Sequence, residues 1–348
     1  MIAVAISGGV DSAYAAWLLS RTHRVLLLHA RLFPEDTSPR ARSVAQALGL
    51  PLEIIDLRED FARRVICYFR EAYLQGLTPN PCVICNREIK FGLLLEAARQ
   101  LGAEKLATGH YARLRYDPAT SHYLLYKARD LQKDQSYFLH QLPQEVLSQI
   151  LFPLGDLSKE EILRETARIG LFPFTAPESR EVCFVRGDYR ELFRVVEAPE
   201  GEMVTVNGRV VGKHRGLFAY TVGQRRGLGL RLGKPYYVVA LDPEHNRVIV
   251  GEKRHLLRRT LRVGRVNFLY PLDPERPFEA AVRLRYRHRE APARIEPLGG
   301  GIFRVIFERP QRAVAPGQFA VFYREDLVLG GGEILPEPAP FPSWISTP

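Results

Sequence analysis

The sequence predicts an α/β domain built on a mostly parallel sheet, followed by a small central domain and a C-terminal β-barrel. Three observations carry that reading. Short apolar strands alternate with helices through the first half of the 348 residues. A glycine-rich turn joins the first strand to the first helix, and beyond Pro199-Glu200-Gly201 strands and turns take over. Such alternation sandwiches a parallel sheet between helices and places ligands at the carboxyl ends of its strands. A chain of this length exceeds one ordinary core, so two or three domains are expected.

The elements follow in order. Met1-Ile2-Ala3-Val4-Ala5-Ile6 reads as the opening strand, Ala13 to Leu19 as a short helix, and Arg24 to Ala30 as a second buried strand. Ser38-Pro39 opens a helix in the cap-then-proline order and Gly49 closes it. Leu52 to Asp56 is a third strand. Asn86 is placed to cap a long helix reaching Gly102, with Ile89, Leu93, Ala97 and Leu101 at four-residue spacing. Lys105 to Thr108 is a short strand ending at Gly109, and Ser158 with Glu161 forms a capping box for a helix that stops at Gly170. Farther on, Pro235 to Leu241 and Arg247 to Gly251 flank one turn, and a second hairpin surrounds Gly299-Gly300-Gly301. The expected units are 1–198, 199–260 and 261–335, with an irregular proline-rich tail over 336–348.

Composition narrows the class. With 46% hydrophobic and 25% charged residues, and no apolar run near the ~20 residues of a membrane span, no membrane association is expected. The N-terminus lacks the basic start and cleavage site of a signal peptide. A cytoplasmic protein with reduced thiols is expected, so four cysteines do not suggest a disulfide framework. The net charge of +10 suits a polyanionic partner, but arginine-rich composition also arises from genome bias or heat adaptation.

Ser7-Gly8-Gly9-Val10-Asp11-Ser12 sits between the first strand and first helix, where backbone N–H groups and the positive helix end converge on an anion. It lacks the Gly-Lys-Ser/Thr ending of a Walker loop and is not G-x-G-x-x-G. A plain strand-to-helix turn uses the same residues. The pattern resembles the PP-loop of the ATP pyrophosphatase superfamily, with its adenine nucleotide alpha hydrolase-like fold. That resemblance implies a β,γ-pyrophosphate site with AMP transfer, Mg²⁺ held with the help of Asp11, and phosphate oxygens bound by Ser7 and Ser12. A second glycine at a strand end, in Ala107-Thr108-Gly109-His110-Tyr111, would border the same crevice. It either lets adenine or ribose lie on the backbone or merely makes a turn.

Pro79-Asn80-Pro81-Cys82-Val83-Ile84-Cys85-Asn86 places Cys85 at the start of the expected helix, where the dipole would favour a thiolate. Cys183, in Ser179-Arg180-Glu181-Val182-Cys183-Phe184, is distant in sequence but within reach of a folded crevice. Cys67, in an apolar helical run, reads as an ordinary buried thiol. Three readings compete for Cys82, Cys85 and Cys183. A structural zinc site lacks a fourth ligand. A 4Fe–4S cluster with one open iron needs only these three. Redox sulfur chemistry would put a persulfide on one cysteine and have another resolve it as a disulfide.

The segments Ser7 to Ser12, Thr78 to Phe91, Ala107 to Arg113, Lys133 to Leu139 and Val182-Cys183-Phe184 resemble the tRNA-specific 2-thiouridylase family. So do Tyr220 to Gly229, Arg285-Tyr286-Arg287-His288 and Ala313 to Gln318, and the likeness covers nearly the whole chain. It implies ATP-dependent adenylation of the C2 oxygen of the wobble uridine, position 34, in tRNAs for lysine, glutamate and glutamine. Sulfur transfer then gives 2-thiouridine, AMP and pyrophosphate. By the same resemblance Cys183 carries the persulfide, Cys85 is the nucleophile that forms a transient disulfide with it, and Cys82 is auxiliary. ATP contacts are implied at Ala5, Ile6, Ser7, Gly8, Gly9, Val10, Asp11, Ser12, Ala30 and Gly109. Asn80, Pro81 and Cys82 would adjoin the target base. Contacts to tRNA would come from His110, Lys133, Asp134, Gln135, Arg285, Tyr286 and Gln318, and a cysteine desulfurase or sulfur-relay protein would supply sulfur. Two positions depart from the pattern: some members have aspartate where Cys82 stands, and glutamine is common at Arg180.

A nucleic-acid face is also legible in the residues. From Phe278 to Arg289, apolar residues alternate with Arg283, Arg285, Arg287 and Arg289, which on a strand would form a ladder. Such a stripe suits a phosphate backbone, as does the basic loop Gln224 to Gly229 with Arg231 and Lys234. A solvated edge strand has the same pattern. Two other classes fit parts of the sequence: a PP-loop ligase for a small molecule, and a non-enzymatic RNA-binding protein. Neither accounts for the paired cysteines.

Overall fold

The computed structural model describes residues 1–171, 182–185, 187–193, 199–230 and 233–337. Arg180, residues 179–181 of the Cys183 motif, Arg231 and residues 338–348 of the expected tail lie outside the described residues.

Strands β1 (Ile2–Ala5), β2 (Val25–Arg31), β3 (Leu52–Asp56) and β4 (Lys105–Ala107) form a parallel sheet in the order β3-β2-β1-β4. Continuous apolar runs such as Val25 to Leu28 are buried because helices cover both faces. The chain leaves β1 toward β2 and returns on the opposite side at β4, which makes the β1/β4 gap the switch point of the sheet. Helix α1 (Val10–Ser20) follows β1, and α2 (Ser38–Leu48) follows β2 and ends on left-handed Gly49. Two longer helices, α3 (58–74) and α4 (81–100), each contain a π-helical stretch, Ala62–Ile66 and Cys85–Leu93.

A hairpin of β5 (Ala112–Asp117) and β6 (His122–Lys127) follows, and β7 (Ile150–Leu151) completes the parallel sheet beside β4. Helix α5 (Lys159–Arg168) starts with the expected capping box, in which Glu161 N donates to Ser158 Oγ at 3.1 Å and Ser158 N to Glu161 Oε2 at 2.7 Å.

The central unit is a four-stranded sheet of β8 (Gly201–Thr205), β9 (Val210–His214), β10 (Tyr237–Asp242) and β11 (Arg247–Gly251). The last six strands are β12 (Leu257–Phe268), β13 (Phe278–Arg283), β14 (Ala291–Gly299), β15 (Ile302–Arg312), β16 (Phe319–Arg324) and β17 (Leu327–Ile334). They close on themselves as a barrel, because β12 pairs with both β15 and β17. The expected division at 260/261 cuts through β12, which already pairs with β15 at Leu257.

The parallel-sheet domain and the barrel are locked together. Leu327 of β17 pairs with Tyr126 of β6, so the hairpin extends the barrel's sheet. One apolar core runs from Phe61, Ile89 and Leu106 through to Phe319, Val321 and Val328 of the barrel. Polar ties add direction: Tyr137 Oη donates to Phe319 O at 3.0 Å, and Gln141 Nε2 to Gly331 O at 2.8 Å.

Among the described residues no helix is long and apolar enough to cross a membrane.

Candidate active site

The PP-loop residues enclose an anion cradle at the switch point. Gly8 takes φ +80°, and a Cβ there would stand 2.5 Å from Arg40 Cβ, so glycine is required both for the turn and for the packing. Ser12 Oγ donates to Gly9 O at 2.9 Å and accepts from Ser7 N at 3.2 Å, and Gly9 N donates to Ser7 Oγ at 3.3 Å. These bonds hold the loop open with the start of α1 behind it, where N–H groups lack intrahelical acceptors. His29, buried on β2, ties Ile6 O (2.9 Å) to Thr37 Oγ1 (3.0 Å) and so braces the loop against the segment leading into α2. Ala30 follows it at the carboxyl end of β2.

Asp11 has partners that the sequence reading missed. Its Oδ1 accepts from Tyr111 Oη and from Lys159 Nζ, each at 2.7 Å. Lys159 is the first residue of α5, so the capping box predicted at Ser158 aims its neighbour at the loop.

Gly109 ends its strand with a different need for glycine than the two weighed from sequence. A Cβ there would lie 3.0 Å from both Asp11 C and Ser12 N, so the backbone packs directly on the PP-loop. The adjoining His110 is buried, with Nδ1 paired to Thr108 Oγ1 at 2.7 Å and Nε2 facing Lys90 Nζ at 3.4 Å. Burial, assisted by Lys90, holds its imidazole well below the usual range, so it is neutral.

The cysteines share one neighbourhood. The Cys85 thiol feels Lys90, Cys183 and Cys82, and the Cys183 thiol feels Cys82 and Lys90. Phe184 packs edge-on to Phe61 and Phe69, at ring separations of 5.8 and 5.2 Å, and anchors the residue beside Cys183 against α3. All four cysteines are free, so the Cys85–Cys183 disulfide belongs to no resting bond of this structure.

The expected low pKa of Cys85 is overturned. Helix α4 begins at Pro81 with Asn80 at the cap position, which leaves Cys82 in the first turn and Cys85 one turn farther in. Asn86, the expected cap, is mid-helix and donates to Phe138 O at 3.3 Å. Burial pushes the Cys85 thiol up to about 12, with Lys90 pulling it partly back. Cys82 and Cys183 keep exposed surface, yet the protein around their sulfurs raises both thiols as well. Cys67, expected to be buried, is exposed: it lies on the outer face of α3. Among the described residues no three His, Cys, Asp or Glu side chains converge to hold a metal ion. With Lys90 among the sulfurs as well, the donor set does not fit a 4Fe–4S cluster.

The arginine ladder is not a ladder. Strand β13 stops at Arg283, and 284–289 turn away. Arg283 pairs with Asp134 at 2.9 Å and lies 4.8 Å from the centre of the Tyr323 ring. Arg285 donates to Val222 O (3.2 Å) and Ala313 O (2.8 Å), joining barrel to central unit. Only Arg287 and Arg289 of the four are exposed, together with Arg225 and Arg226 of the basic loop. The sequence pattern continued past the strand because alternation cannot mark where pairing ends.

Of the other expected RNA contacts, Asp134 is 2% exposed and accepts from Ala128 N, Ser136 N and Ser136 Oγ, and His110 is 7% exposed, so both side chains are buried in the protein. Gln135 Oε1 accepts from Tyr111 N at 3.0 Å, beside partly exposed Lys133. Tyr286 packs on Phe138 with ring centres 4.5 Å apart. Gln318 Nε2 donates to Thr78 O (2.9 Å) and Pro79 O (3.2 Å), fixing the approach to Asn80-Pro81-Cys82.

Comparison with known proteins accords with this geometry. Residues 1–187 match the family described as tRNA methyl transferase HUP domain, 191–252 its PRC-barrel domain, and 258–334 the aminomethyltransferase beta-barrel domain. The tRNA-specific 2-thiouridylase MnmA of Moorella thermoacetica is 49% identical over 352 residues, covering 95% of this chain and 98% of that protein. The chain belongs to the tRNA-specific 2-thiouridylase family. Proteins of the same name from Desulforudis audaxviator and Syntrophotalea carbinolica are 47% and 46% identical, each covering 96% of this chain and 98% of their own length. As a member of this family the chain is a PP-loop enzyme with a central domain and a closed barrel.

Proposed function

We propose that this chain adenylates the C2 oxygen of wobble uridine 34 in tRNAs for lysine, glutamate and glutamine, and replaces it with sulfur. One observation carries the reading. The dipeptide Gly109-His110 packs on the PP-loop on one side, where a Cβ on Gly109 would come within 3.0 Å of Ser12 N, and meets Lys90 of the cysteine helix on the other. Nucleotide activation and sulfur chemistry therefore open on one crevice.

In that crevice the PP-loop amides and the start of α1 take the β,γ-pyrophosphate, and Ala5, Ile6, Val10, Ala30 and Gly109 border the rest of the nucleotide. Mg²⁺ arrives with ATP and needs one or two protein carboxylates; Asp11 fits, exchanging Lys159 for the ion. Attack of the uracil oxygen on the α-phosphorus expels pyrophosphate and turns that oxygen into a leaving group. The terminal sulfur of a persulfide on Cys183 adds at C2. Cys85 then attacks Sγ of Cys183; the bond from that Sγ to the transferred sulfur breaks, the Cys85–Cys183 disulfide forms, and the electron pair left on the sulfur at C2 makes the thiocarbonyl and expels AMP with the oxygen. A dithiol reductant resets the pair. Exposure of Cys183 suits loading by a cysteine desulfurase or a sulfur-relay protein. Asn80, Pro81 and Cys82 border the flipped base.

The tRNA lies across the barrel and central unit, on the exposed Arg225, Arg226, Arg287 and Arg289 and on Lys133. Asp134, Gln135, Arg285, Tyr286 and Gln318 act behind that face by fixing its elements. The proposed units are 1–198, 199–256 and 257–335, the second boundary moved from 260/261 to the start of β12 at Leu257.

The test combines purified protein, ATP, a persulfide donor and unmodified tRNA, read by nucleoside mass spectrometry. 2-Thiouridine and tRNA-dependent AMP release are expected. Cys183→Ser should abolish thiolation while sparing ATP binding. A small-molecule ligase would release AMP without tRNA, and an RNA-binding protein would release none.

A further inference from the structure

Sulfur transfer requires sulfur anions, yet burial raises all three thiols at this site and an incoming RNA adds negative charge. Something must offset both. Lys90 is placed to do so by the backbone. In a regular α-helix a residue five positions on lies ~140° round the axis. The segment Cys85–Leu93 is π-helical, and its i→i+5 closure brings Lys90 toward the face that bears Cys85. Residues 82, 86 and 90 also repeat at four-residue spacing, so Cys82 shares that side. The groups facing Cys85 are Lys90, Cys82 and Cys183; Glu88, the nearest carboxylate in sequence, is turned outward to Arg64 and Arg87 at 3.2 and 2.9 Å.

Lys90 is held in place from the far side. His110 Nε2 lies 3.4 Å from its Nζ, and the imidazole is wedged between Phe91 and Phe152, with ring centres 5.7 and 6.0 Å away. The Lys90 ammonium can only donate, so Nε2 is the acceptor and the neutral ring carries its proton on Nδ1, which donates to Thr108 Oγ1. A neutral histidine thus orients the cation without competing for the sulfurs.

We propose that Lys90 is the shared counter-ion of Cys82, Cys85 and Cys183, a positioning residue that stabilises the sulfur anions formed during transfer. The proposal deepens the thiolation reading and rests on it, but its test does not. Full-length resting protein is alkylated with iodoacetamide at pH 8 and each cysteine is followed by peptide mass spectrometry. Well below a thiol's pKa the rate follows the thiolate fraction, so one unit is tenfold. In Lys90→Gln, alkylation of Cys82 and Cys183 should slow by about tenfold, with exposed Cys67 unchanged as the internal reference. Lys90→Arg should recover most of the wild-type rate. Unchanged rates in Lys90→Gln would overturn the proposal and leave Lys90 as a phosphate contact. Equal slowing at Cys67 would overturn it too, by revealing a general change in the fold. Slowing confined to the site cysteines in a protein that makes no 2-thiouridine would uphold the counter-ion and reject the reaction.

Discussion

Acid should weaken this protein through one buried ring. His140 is fully buried where catalytic domain meets barrel, against Phe319 at 5.0 Å between ring centres. Its Nδ1 donates to Tyr137 O at 2.7 Å, while Nε2 has no partner among the described residues. Burial lowers its pKa from 6.5 to about 4, so the folded protein keeps it neutral. A depressed pKa contributes stability that is whole above the unfolded value near 6.5 and is lost as pH falls through the folded value near 4. The limit of that loss is about 3.4 kcal/mol, of which about 2 kcal/mol falls between pH 7 and pH 5. His140→Gln keeps an N–H donor and removes the titration. Urea denaturation of both proteins at pH 7 and pH 5 isolates the effect, since other titrating groups cancel in the comparison. Wild type should lose about 2 kcal/mol more than the variant over that interval. Equal losses would refute the assignment.

Two substitutions probe the crevice. Gly109→Ala places a Cβ 3.0 Å from Asp11 C and Ser12 N, both backbone. It should cost about 1–3 kcal/mol by overpacking and weaken Mg-ATP binding, measured by titration calorimetry, while tRNA affinity holds. Gln318→Leu removes the donor to Thr78 O and Pro79 O; it should lower the thiolation rate with little change in ATP affinity and cost about 1–3 kcal/mol in denaturation.

The local sequence determined what local chemistry controls. Ser7 to Ser12 is readable because a tight anion cradle admits few residue types, and glycine at 8 and 9 is one of them. Gly49 and the Ser158–Glu161 box announced helix ends by their own hydrogen bonding. The paired cysteines left an iron–sulfur cluster and redox sulfur chemistry both open, and the resemblance to the thiouridylase family chose the second.

Tertiary structure decided the rest. Spacing cannot locate a π-helical turn, so nothing in the sequence turned Lys90 toward the cysteines or moved the helix start from Asn86 to Pro81. The partners of Asp11 stand 100 and 148 residues away, at Tyr111 and Lys159. The resemblance implied Asp134 and Arg285 as RNA contacts, whereas in the fold buried Asp134 pairs with Arg283 of the barrel and Arg285 bonds Val222 O and Ala313 O. Thiol acidity changed most: dipole and sequence favour an ionised Cys85, whereas desolvation by the folded core outweighs both. Desolvation depends on everything packed around a group, and that is known only once the chain has folded.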